Sequence, residues 1–113
     1  MSEQRPRAII PRYKLILMYD ISLENNESYY QFAMSRFIPV VQAMDVHLTE
    51  VWQTAYGEYP VRMISFVVED LDTIRRMLQS EEWKRVEDQL QEYVENYTRK
   101  VVVYKPNFQF ITE

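Results

Sequence analysis

Four segments of the chain are rich in the large apolar, β-branched and aromatic residues that are typical of β-strands. They are residues 13–21, 45–56, 61–69 and 100–105. The second and third segments are separated by a short stretch that contains Gly57, the single glycine of the chain, and Pro60. Glycine adopts a positive φ readily and proline closes a turn, so we predict four strands, of which the middle two form a hairpin.

Between the first two predicted strands, apolar residues recur at spacings of three and four, which predicts an amphipathic helix over residues 27–44. Asn25 or Asn26 is the expected N-cap, because its side-chain oxygen can accept from a free backbone N–H of the first turn. An interior proline removes a backbone hydrogen bond and clashes with the preceding turn. Pro39 should therefore kink or break this helix near Ile38.

A second helical region follows the third strand. Asp70 and Asp72 are suitable caps for its start, and Ser80 followed by two glutamates is typical of another helix start. The apolar stripe continues from Trp83 to Tyr97 at helical spacing. We expect either one bent helix or two abutting helices here.

The order strand, helix, strand, strand, helix, strand predicts an α+β domain of the ferredoxin-like βαββαβ type. In that arrangement two helices pack on one face of a four-stranded antiparallel sheet. A chain of 113 residues has the usual size of one domain. We therefore expect an N-terminal tail over residues 1–12 and a single domain over residues 13–113.

The predicted strands are apolar on both faces, whereas a sheet with one face in water alternates apolar and polar residues. In the first strand, Leu15 and Leu17 have one parity and Ile16 and Met18 have the other. The same holds in the third and last strands, with Met63 and Val67 against Ile64, Phe66 and Val68, and Val101 and Val103 against Val102 and Tyr104. Leaving such a face in water is unfavourable by about 1.5 to 3 kcal/mol for each large side chain, so we expect something to cover it.

A second copy of the same sheet, packed face to face, is the simplest cover, and it would give a symmetric homodimer with the helices outside. The alternative is that the ends of the chain fold across the face of a monomer. The apolar residues available for that role are Ile9, Ile10, Phe108 and Phe110.

Composition excludes several classes of function. The chain has no cysteine, which rules out disulfides, thiolate metal sites and cysteine nucleophiles and favours a cytoplasmic setting. A net charge of −4 disfavours nonspecific binding to nucleic acid. With one glycine, neither a phosphate-binding loop nor a nucleophile elbow can be built, and no apolar stretch is long enough for a signal peptide or a membrane span. We expect no cofactor, metal, nucleic acid or membrane partner.

Two local runs, Arg36-Phe37-Ile38-Pro39 and Gln79-Ser80-Glu81-Glu82-Trp83, together with the element order and the two-faced strands, resemble the dimeric α/β-barrel superfamily. The likeness extends over residues 13–110. This superfamily includes cofactor-free monooxygenases of antibiotic biosynthesis, muconolactone isomerases, stress-responsive barrel proteins and haem-binding chlorite dismutases. The resemblance implies a homodimer with a cavity between sheet and helices, where a small aromatic or polyketide-like molecule binds. It transfers no catalytic residue, because these families place different groups in the cavity.

His47 and Asp20 are the candidate general bases. His47 is the only histidine, and its ordinary pKa near neutrality suits a base or a haem ligand. Its position at the start of an expected edge strand also fits a surface or structural histidine. Asp20, like Lys14, has the parity of Ile16 and so projects into the shared interior or, alternatively, lies at the solvent rim.

Aromatic residues gather around the predicted hairpin, and Arg62 opens the strand that follows it. Aromatic walls with one cation suit an anionic or aromatic ligand, although cross-strand aromatic pairing would also explain the cluster. The residues that we expect to line a ligand cavity are Met18, Trp52, Tyr56, Arg62, Phe66 and Tyr104.

Three functions remain open from the sequence. The first is a homodimeric barrel protein that binds a small aromatic or polyketide-like molecule. The second is a cofactor-independent monooxygenase or isomerase of the same fold, with His47 or Asp20 as its base. The third is a non-catalytic structural or interaction protein whose apolar sheet is only an interface. The presence of a roomy cavity with a buried ionisable group would favour the enzyme.

Overall fold

The computed structural model describes residues 10–56 and 59–104, with side chains described for residues 10–54 and 61–104. The elements are β1 (Tyr13–Asp20), a 3-10 turn (Leu23–Asn25), α1 (Asn26–Phe32), a π-helical segment (Ala33–Phe37), α2 (Ile38–Gln42), β2 (His47–Tyr56), β3 (Tyr59–Val68), α3 (Leu71–Gln79), α4 (Glu81–Gln91) and β4 (Glu95–Val103). The predicted order of strands and helical regions is therefore confirmed. None of the helices in this part of the chain has the length and apolar character needed to cross a membrane.

The strands form one antiparallel sheet in the order β2-β3-β1-β4. This confirms the predicted α+β class and agrees with a ferredoxin-like arrangement, in which β1 and β3 are central. The hairpin is also confirmed, because Tyr56 pairs with Tyr59 at its tip. The predicted turn residue Gly57 and the predicted end of the last strand at Lys105 lie outside the described residues.

The first helical region differs from the prediction at its start and is irregular just before its proline. Neither Asn25 nor Asn26 caps α1 through its side chain, and the Asn25 amide instead donates to the backbone oxygen of Tyr93 at 3.4 Å. The irregularity expected near Ile38 is present as the π-helical segment Ala33–Phe37, without a break in the helical region. The Ile38 N–H donates to the oxygen of Ala33, five residues back, in the turn just before Pro39. A wider turn accommodates a residue that cannot donate to the usual oxygen, so the helix continues.

The second helical region consists of two abutting helices with separate caps. The Asp70 carboxylate accepts from the Thr73 N–H at 2.8 Å, and the Ser80 hydroxyl accepts from the Trp83 N–H at 3.1 Å. The hydrogen bonds from Thr73 lower the pKa of Asp70. The predicted caps Asp70 and Ser80 are confirmed, whereas Asp72 lies in the first turn of α3. Each cap satisfies a backbone donor that a helix start leaves free.

The last strand begins at Glu95, five residues earlier than the predicted start at residue 100. The prediction that the helical stripe reaches Tyr97 is wrong, because α4 ends at Gln91 and Tyr97 lies in β4. Asn96, the second residue of β4, has a φ of 56°, in the left-handed region, and it lies where the pairing between β1 and β4 shifts register. The ring of Tyr97 then stacks on Tyr19 of β1, with 6.3 Å between the ring centroids.

The core lies between the helices and one face of the sheet, which we call the helix face. Its buried side chains include Leu15, Leu17, Tyr19, Ile64, Phe66 and Val68 from the central strands and Phe32, Phe37, Trp83 and Leu90 from the helical regions. The helices do not cover the edge strands, because Val51 of β2 and Val103 of β4 are 46% and 62% exposed although both have helix-face parity. The other side of the sheet is the open face.

Candidate functional site

The open face carries an apolar row that crosses three strands. Trp52 of β2 pairs with Met63 of β3, which pairs in turn with Met18 of β1. Trp52 is 57% exposed and Met18 is 38% exposed. The open face as a whole consists of Lys14, Ile16, Met18 and Asp20 of β1, His47, Glu50, Trp52 and Thr54 of β2, Val61, Met63, Ser65 and Val67 of β3, and Thr98, Lys100 and Val102 of β4. The predicted second apolar face thus exists in the sheet, interrupted by charged residues.

Charges of both signs lie beside that row. The Lys14 ammonium lies 3.5 Å from a carboxylate oxygen of Glu50 and 5.4 Å from the centre of the Tyr104 ring. Ser65 pairs with Glu50 across β2 and β3, and its hydroxyl is buried and has no hydrogen-bond partner among the described residues. A partly exposed ion pair of this kind contributes little to stability, so its main effect is to place opposite charges on one surface.

The residues predicted to line one cavity lie on two faces of the sheet. Met18, Trp52 and Tyr104 have open-face parity. Arg62 and Phe66 have helix-face parity, and Phe66 is completely buried in the core. The side chain of Tyr56 lies outside the described residues. The structure therefore brings together only parts of the predicted set.

The two candidate bases are far apart. His47 starts β2 in the same cross-strand row as Lys14, whereas Asp20 lies at the other end of β1 and accepts from the Asn96 amide at 2.7 Å. Asp20 lies six positions after Lys14 along β1, which corresponds to roughly 20 Å at the usual rise per residue. One small substrate cannot contact both. In the described part of the chain, no group of three or more acidic or histidine side chains is arranged to hold a metal ion.

The helix face contains a buried pair of tyrosines near the end of β1. The hydroxyl oxygens of Tyr19 and Tyr29 are 2.5 Å apart, and their rings meet edge to face with centroids 5.6 Å apart. Each residue is 1% exposed. Burial raises the pKa of Tyr19 and that of Tyr29, and the charge of Arg62 only partly opposes this effect. Both phenols are therefore neutral at physiological pH, and one donates its hydrogen to the oxygen of the other.

Arg62 lies against this pair. Its guanidinium carbon is 5.2 Å from the centre of the Tyr29 ring, and its Nη2 donates to the side-chain oxygen of Gln53. Its Nε is buried and has no hydrogen-bond partner among the described residues. We call Tyr19, Tyr29, Gln53 and Arg62 the tyrosine–arginine cluster. The sequence pattern pointed to Arg62, but only the fold brings Tyr29 of α1 and Gln53 of β2 to it.

A second group of polar side chains lies beside the first, on the same face. A single carboxylate oxygen of Glu87 on α4 accepts from the Tyr97 hydroxyl at 2.6 Å and from Nη1 of Arg99 at 2.8 Å. Arg99 also lies 5.9 Å from the centre of the Trp83 ring. Burial and the bond to Glu87 raise the pKa of Tyr97. We call Glu87, Tyr97 and Arg99 the glutamate cluster.

Two surface grooves lie away from both clusters. One, of about 250 Å³, is lined by Met44, Asp45, Thr73, Arg76 and Met77. The other, of about 270 Å³, is lined by Ile10, Arg12, Glu69 and Asp70. Neither groove contains a residue predicted to bind a ligand.

Solved structures with the same arrangement include proteins of the NIPSNAP family. An uncharacterized NIPSNAP-like domain protein from Burkholderia xenovorans has a TM-score of 0.64 and 16% identity, and the match covers 89% of this chain and 91% of that chain. A NIPSNAP family protein of unknown function from Agrobacterium tumefaciens has a TM-score of 0.62 and 13% identity, with 85% and 93% covered. A protein designed de novo has a TM-score of 0.55 and 14% identity, with 85% and 99% covered.

The sequence itself matches no protein-family model and no curated protein. Identities of this size show the fold alone, and a fold does not determine an activity, as its appearance in a designed protein illustrates. The chain therefore has the α+β fold, with a four-stranded antiparallel sheet, that is also found in NIPSNAP family structures of unknown function.

Proposed function

We propose that this chain works as a homodimer, paired through the open face of its sheet, and that each copy binds a small aromatic molecule on its helix face. The observation that carries the proposal is the exposure of two neighbouring apolar residues of β2 on opposite sides of the sheet. Trp52 is 57% exposed on the open face, and Val51 is 46% exposed on the helix face. A strand that is apolar on both sides is normally covered on both sides.

A second copy suits the open face better than a foreign partner does. The face carries Lys14 and Lys100 together with Glu50 and Asp20, so that it can oppose its own charges in a two-fold pairing. The alternative cover by the ends of the chain receives no support from Ile10, which is 67% exposed. Ile9, Phe108 and Phe110 lie outside the described residues.

A small aromatic ligand suits the helix face beside β2. Val51 offers an exposed apolar surface there, and Gln53 and Arg62, on the same side of the sheet, offer polar groups. A mostly apolar lining with few polar groups is the usual composition of a small-molecule site. The superfamily that the sequence resembles places its ligands between sheet and helices, which agrees with this location.

The assembly is tested by light scattering coupled to size exclusion at micromolar concentration. We expect a mass of about twice the 13.8 kDa of one chain. Trp52→Glu should give a monomer with an unchanged far-ultraviolet circular dichroism spectrum, because it buries a charge in the interface. Val51→Glu is the matched control, since it places the same charge one residue away on the helix face, and it should remain dimeric. A folded monomer for the natural sequence would refute the dimer.

Native mass spectrometry of the protein from its source tests the ligand. A retained small molecule at one copy per chain is expected. If the dimer forms without retaining or binding any aromatic molecule, the chain is a structural protein whose apolar sheet serves as an interface. Turnover of an aromatic compound by the purified protein would establish instead the alternative of a cofactor-independent enzyme.

A further inference from the structure

The tyrosine–arginine cluster has more hydrogen-bond donors than acceptors. Arg62 carries a permanent positive charge, and it forms no ion pair with a carboxylate of the described residues. Its buried Nε–H donates to none of them. A buried N–H donor without an acceptor is unfavourable, and such groups in natural proteins usually have a partner.

The tyrosine pair adds a further unmatched donor. Two phenols supply two O–H hydrogens, but the single contact between Tyr19 and Tyr29 uses only one of them. The other hydrogen has no acceptor among the described side chains, although both residues are 1% exposed. The described acceptors of the cluster are therefore all neutral oxygens, those of Gln53 and of the two phenols, and none of them is a carboxylate.

The glutamate cluster shows what such an acceptor looks like in this protein. There the same two side-chain types, a tyrosine and an arginine, both donate to one carboxylate oxygen of Glu87, at 2.6 Å and 2.8 Å. Bonds from charged or phenolic donors to a carboxylate are short and strong. A carboxylate would satisfy the tyrosine–arginine cluster in the same way.

The position of a carboxylate beside Arg62 is accessible from solvent through Gln53. Gln53 is exposed, and its neutral amide oxygen accepts from Arg62 where a charged oxygen would bind more strongly. An exposed side chain is easily displaced. Val51, two residues earlier on the same side of β2, is 46% exposed and provides an apolar surface for the rest of a ligand.

We propose that the tyrosine–arginine cluster binds the carboxylate of a small aromatic acid, with Arg62 and a phenol as donors and Val51 against the ring. This inference rests on the ligand half of the proposed function and specifies the chemical class of the ligand. Arg62 supplies the positive charge, and the ligand carboxylate displaces the side chain of Gln53.

The test compares carboxylates with their neutral amides by isothermal titration calorimetry, with benzoate and 2-naphthoate as probes against benzamide and 2-naphthamide. The natural sequence should bind at least one acid, with an affinity at least about tenfold above that of the matching amide. Arg62→Met should lower that affinity by about tenfold or more, and Arg85→Met, which removes a charge from the exposed side of α4, should leave it unchanged.

A second variant keeps Arg62 and so does not depend on the stability of Arg62→Met. Gln53→Glu supplies an internal carboxylate, and we expect it to abolish binding of the acid while the circular dichroism spectrum stays the same. Gln79→Glu adds the same charge at an exposed position of α3 and should bind as the natural sequence does. Binding that survives both Arg62→Met and Gln53→Glu would overturn the proposal, as would the absence of acid binding up to about 10 mM.

The same measurements separate this inference from the proposed function. If an amide binds as tightly as its acid, and Arg62→Met does not change that affinity, the protein binds small molecules but has no carboxylate site. That result overturns the inference and keeps the proposed function. Dissociation of the dimer by Arg62→Met would mean that a carboxylate of the second copy fills the cluster, and this outcome also overturns the inference. A natural sequence that is monomeric and binds no aromatic compound would refute the proposed function itself.

Discussion

The glutamate cluster and the tyrosine–arginine cluster lie side by side on the helix face, connected by the stacked rings of Tyr19 and Tyr97. Both contain tyrosine and arginine, and both arginines lie near an aromatic ring. In the first, the Glu87 carboxylate receives from both donors. In the second, the described acceptors are the amide oxygen of Gln53 and the phenols themselves.

The difference concerns which acceptors each cluster offers to its tyrosine and arginine donors. The glutamate cluster is complete within one chain, because the charge of Arg99 is matched by a carboxylate 2.8 Å away. The tyrosine–arginine cluster keeps the charge of Arg62 unmatched, which reduces its contribution to stability. Unsatisfied polar groups in natural proteins are concentrated where a ligand or partner binds, so the less stable cluster is the better candidate site.

The largest expected effect is on stability at alkaline pH. The raised pKa values of Tyr19 and Tyr29 mean that both stay protonated in the folded state where the unfolded chain already ionises, above about pH 10. Their stabilising contribution is thus complete below about pH 10 and is lost as the pH rises above it. Above about pH 10 each phenol lowers the free energy of unfolding by about 1.4 kcal/mol per pH unit, hence about 3 kcal/mol per pH unit for the pair.

Urea unfolding between about pH 9 and about pH 11 measures this slope. Tyr19→Phe should reduce it by about a third, because three phenols with raised pKa values, those of Tyr19, Tyr29 and Tyr97, contribute to it. Tyr97→Phe should reduce it as well, because burial and Glu87 also raise the pKa of that phenol. A free energy of unfolding that does not change over this range would contradict the burial of the pair.

The next effect comes from removing the acceptor of the glutamate cluster. Glu87→Ala leaves the Tyr97 hydroxyl and Arg99 without their common carboxylate, and we expect the free energy of unfolding to fall by about 2–3 kcal/mol. Urea unfolding at neutral pH measures the change. Asp88→Ala, at the next and exposed position of α4, is the control and should have little effect. Equal losses of stability for Glu87→Ala and Asp88→Ala would contradict the view that the Glu87 carboxylate stabilises the glutamate cluster.

Arg62→Met should be less destabilising than Glu87→Ala. The substitution removes an interaction with the Tyr29 ring, but it also removes a buried donor without an acceptor, and methionine keeps most of the aliphatic packing. We expect a loss of less than about 1 kcal/mol in urea unfolding without added ligand. A loss as large as that of Glu87→Ala would show that Arg62 is already paired in the free protein.

The smallest effect is a gain in stability. Gln53→Glu gives Arg62 the carboxylate that Arg99 already has, and it should raise the free energy of unfolding by about 0.5 kcal/mol, since the pair is largely exposed. The gain should decrease at high salt, because exposed charges are screened. Thermal unfolding at two salt concentrations measures both effects. An unchanged or lower stability at low salt would mean that the acceptor position beside Arg62 is not open.

The fold followed from the sequence because the apolar spacings and the caps agree with each other. Asp70 and Ser80 each precede a helix that their hydrogen bonds confirm. The start of β4 could not be predicted from the sequence, because Tyr93, Val94 and Tyr97 fit helical spacing as well as they fit a turn and a strand. Only packing of Tyr97 on Tyr19 decides between them, and that contact joins residues far apart in sequence.

Only part of the candidate site could be predicted from the sequence. Arg62 was singled out as a cation near aromatic residues, but Trp52 and Met18 were grouped with it although they lie on the open face. The sequence shows which residues of one strand lie on the same face, but it does not show how neighbouring strands pair. The shift in pairing between Leu48 and Glu50 exchanges the faces on which the later residues of β2 lie. No pattern in the sequence predicts this shift.

The left-handed conformation of Asn96 has a consequence for the unfolded chain. Both described residues with positive φ, Asp45 and Asn96, are residues other than glycine, in a chain with one glycine. Such residues carry some strain when folded, but they give the denatured chain fewer conformations than glycine would. The chain therefore loses less backbone entropy when it folds, a contribution to stability that no contact in the folded protein reveals.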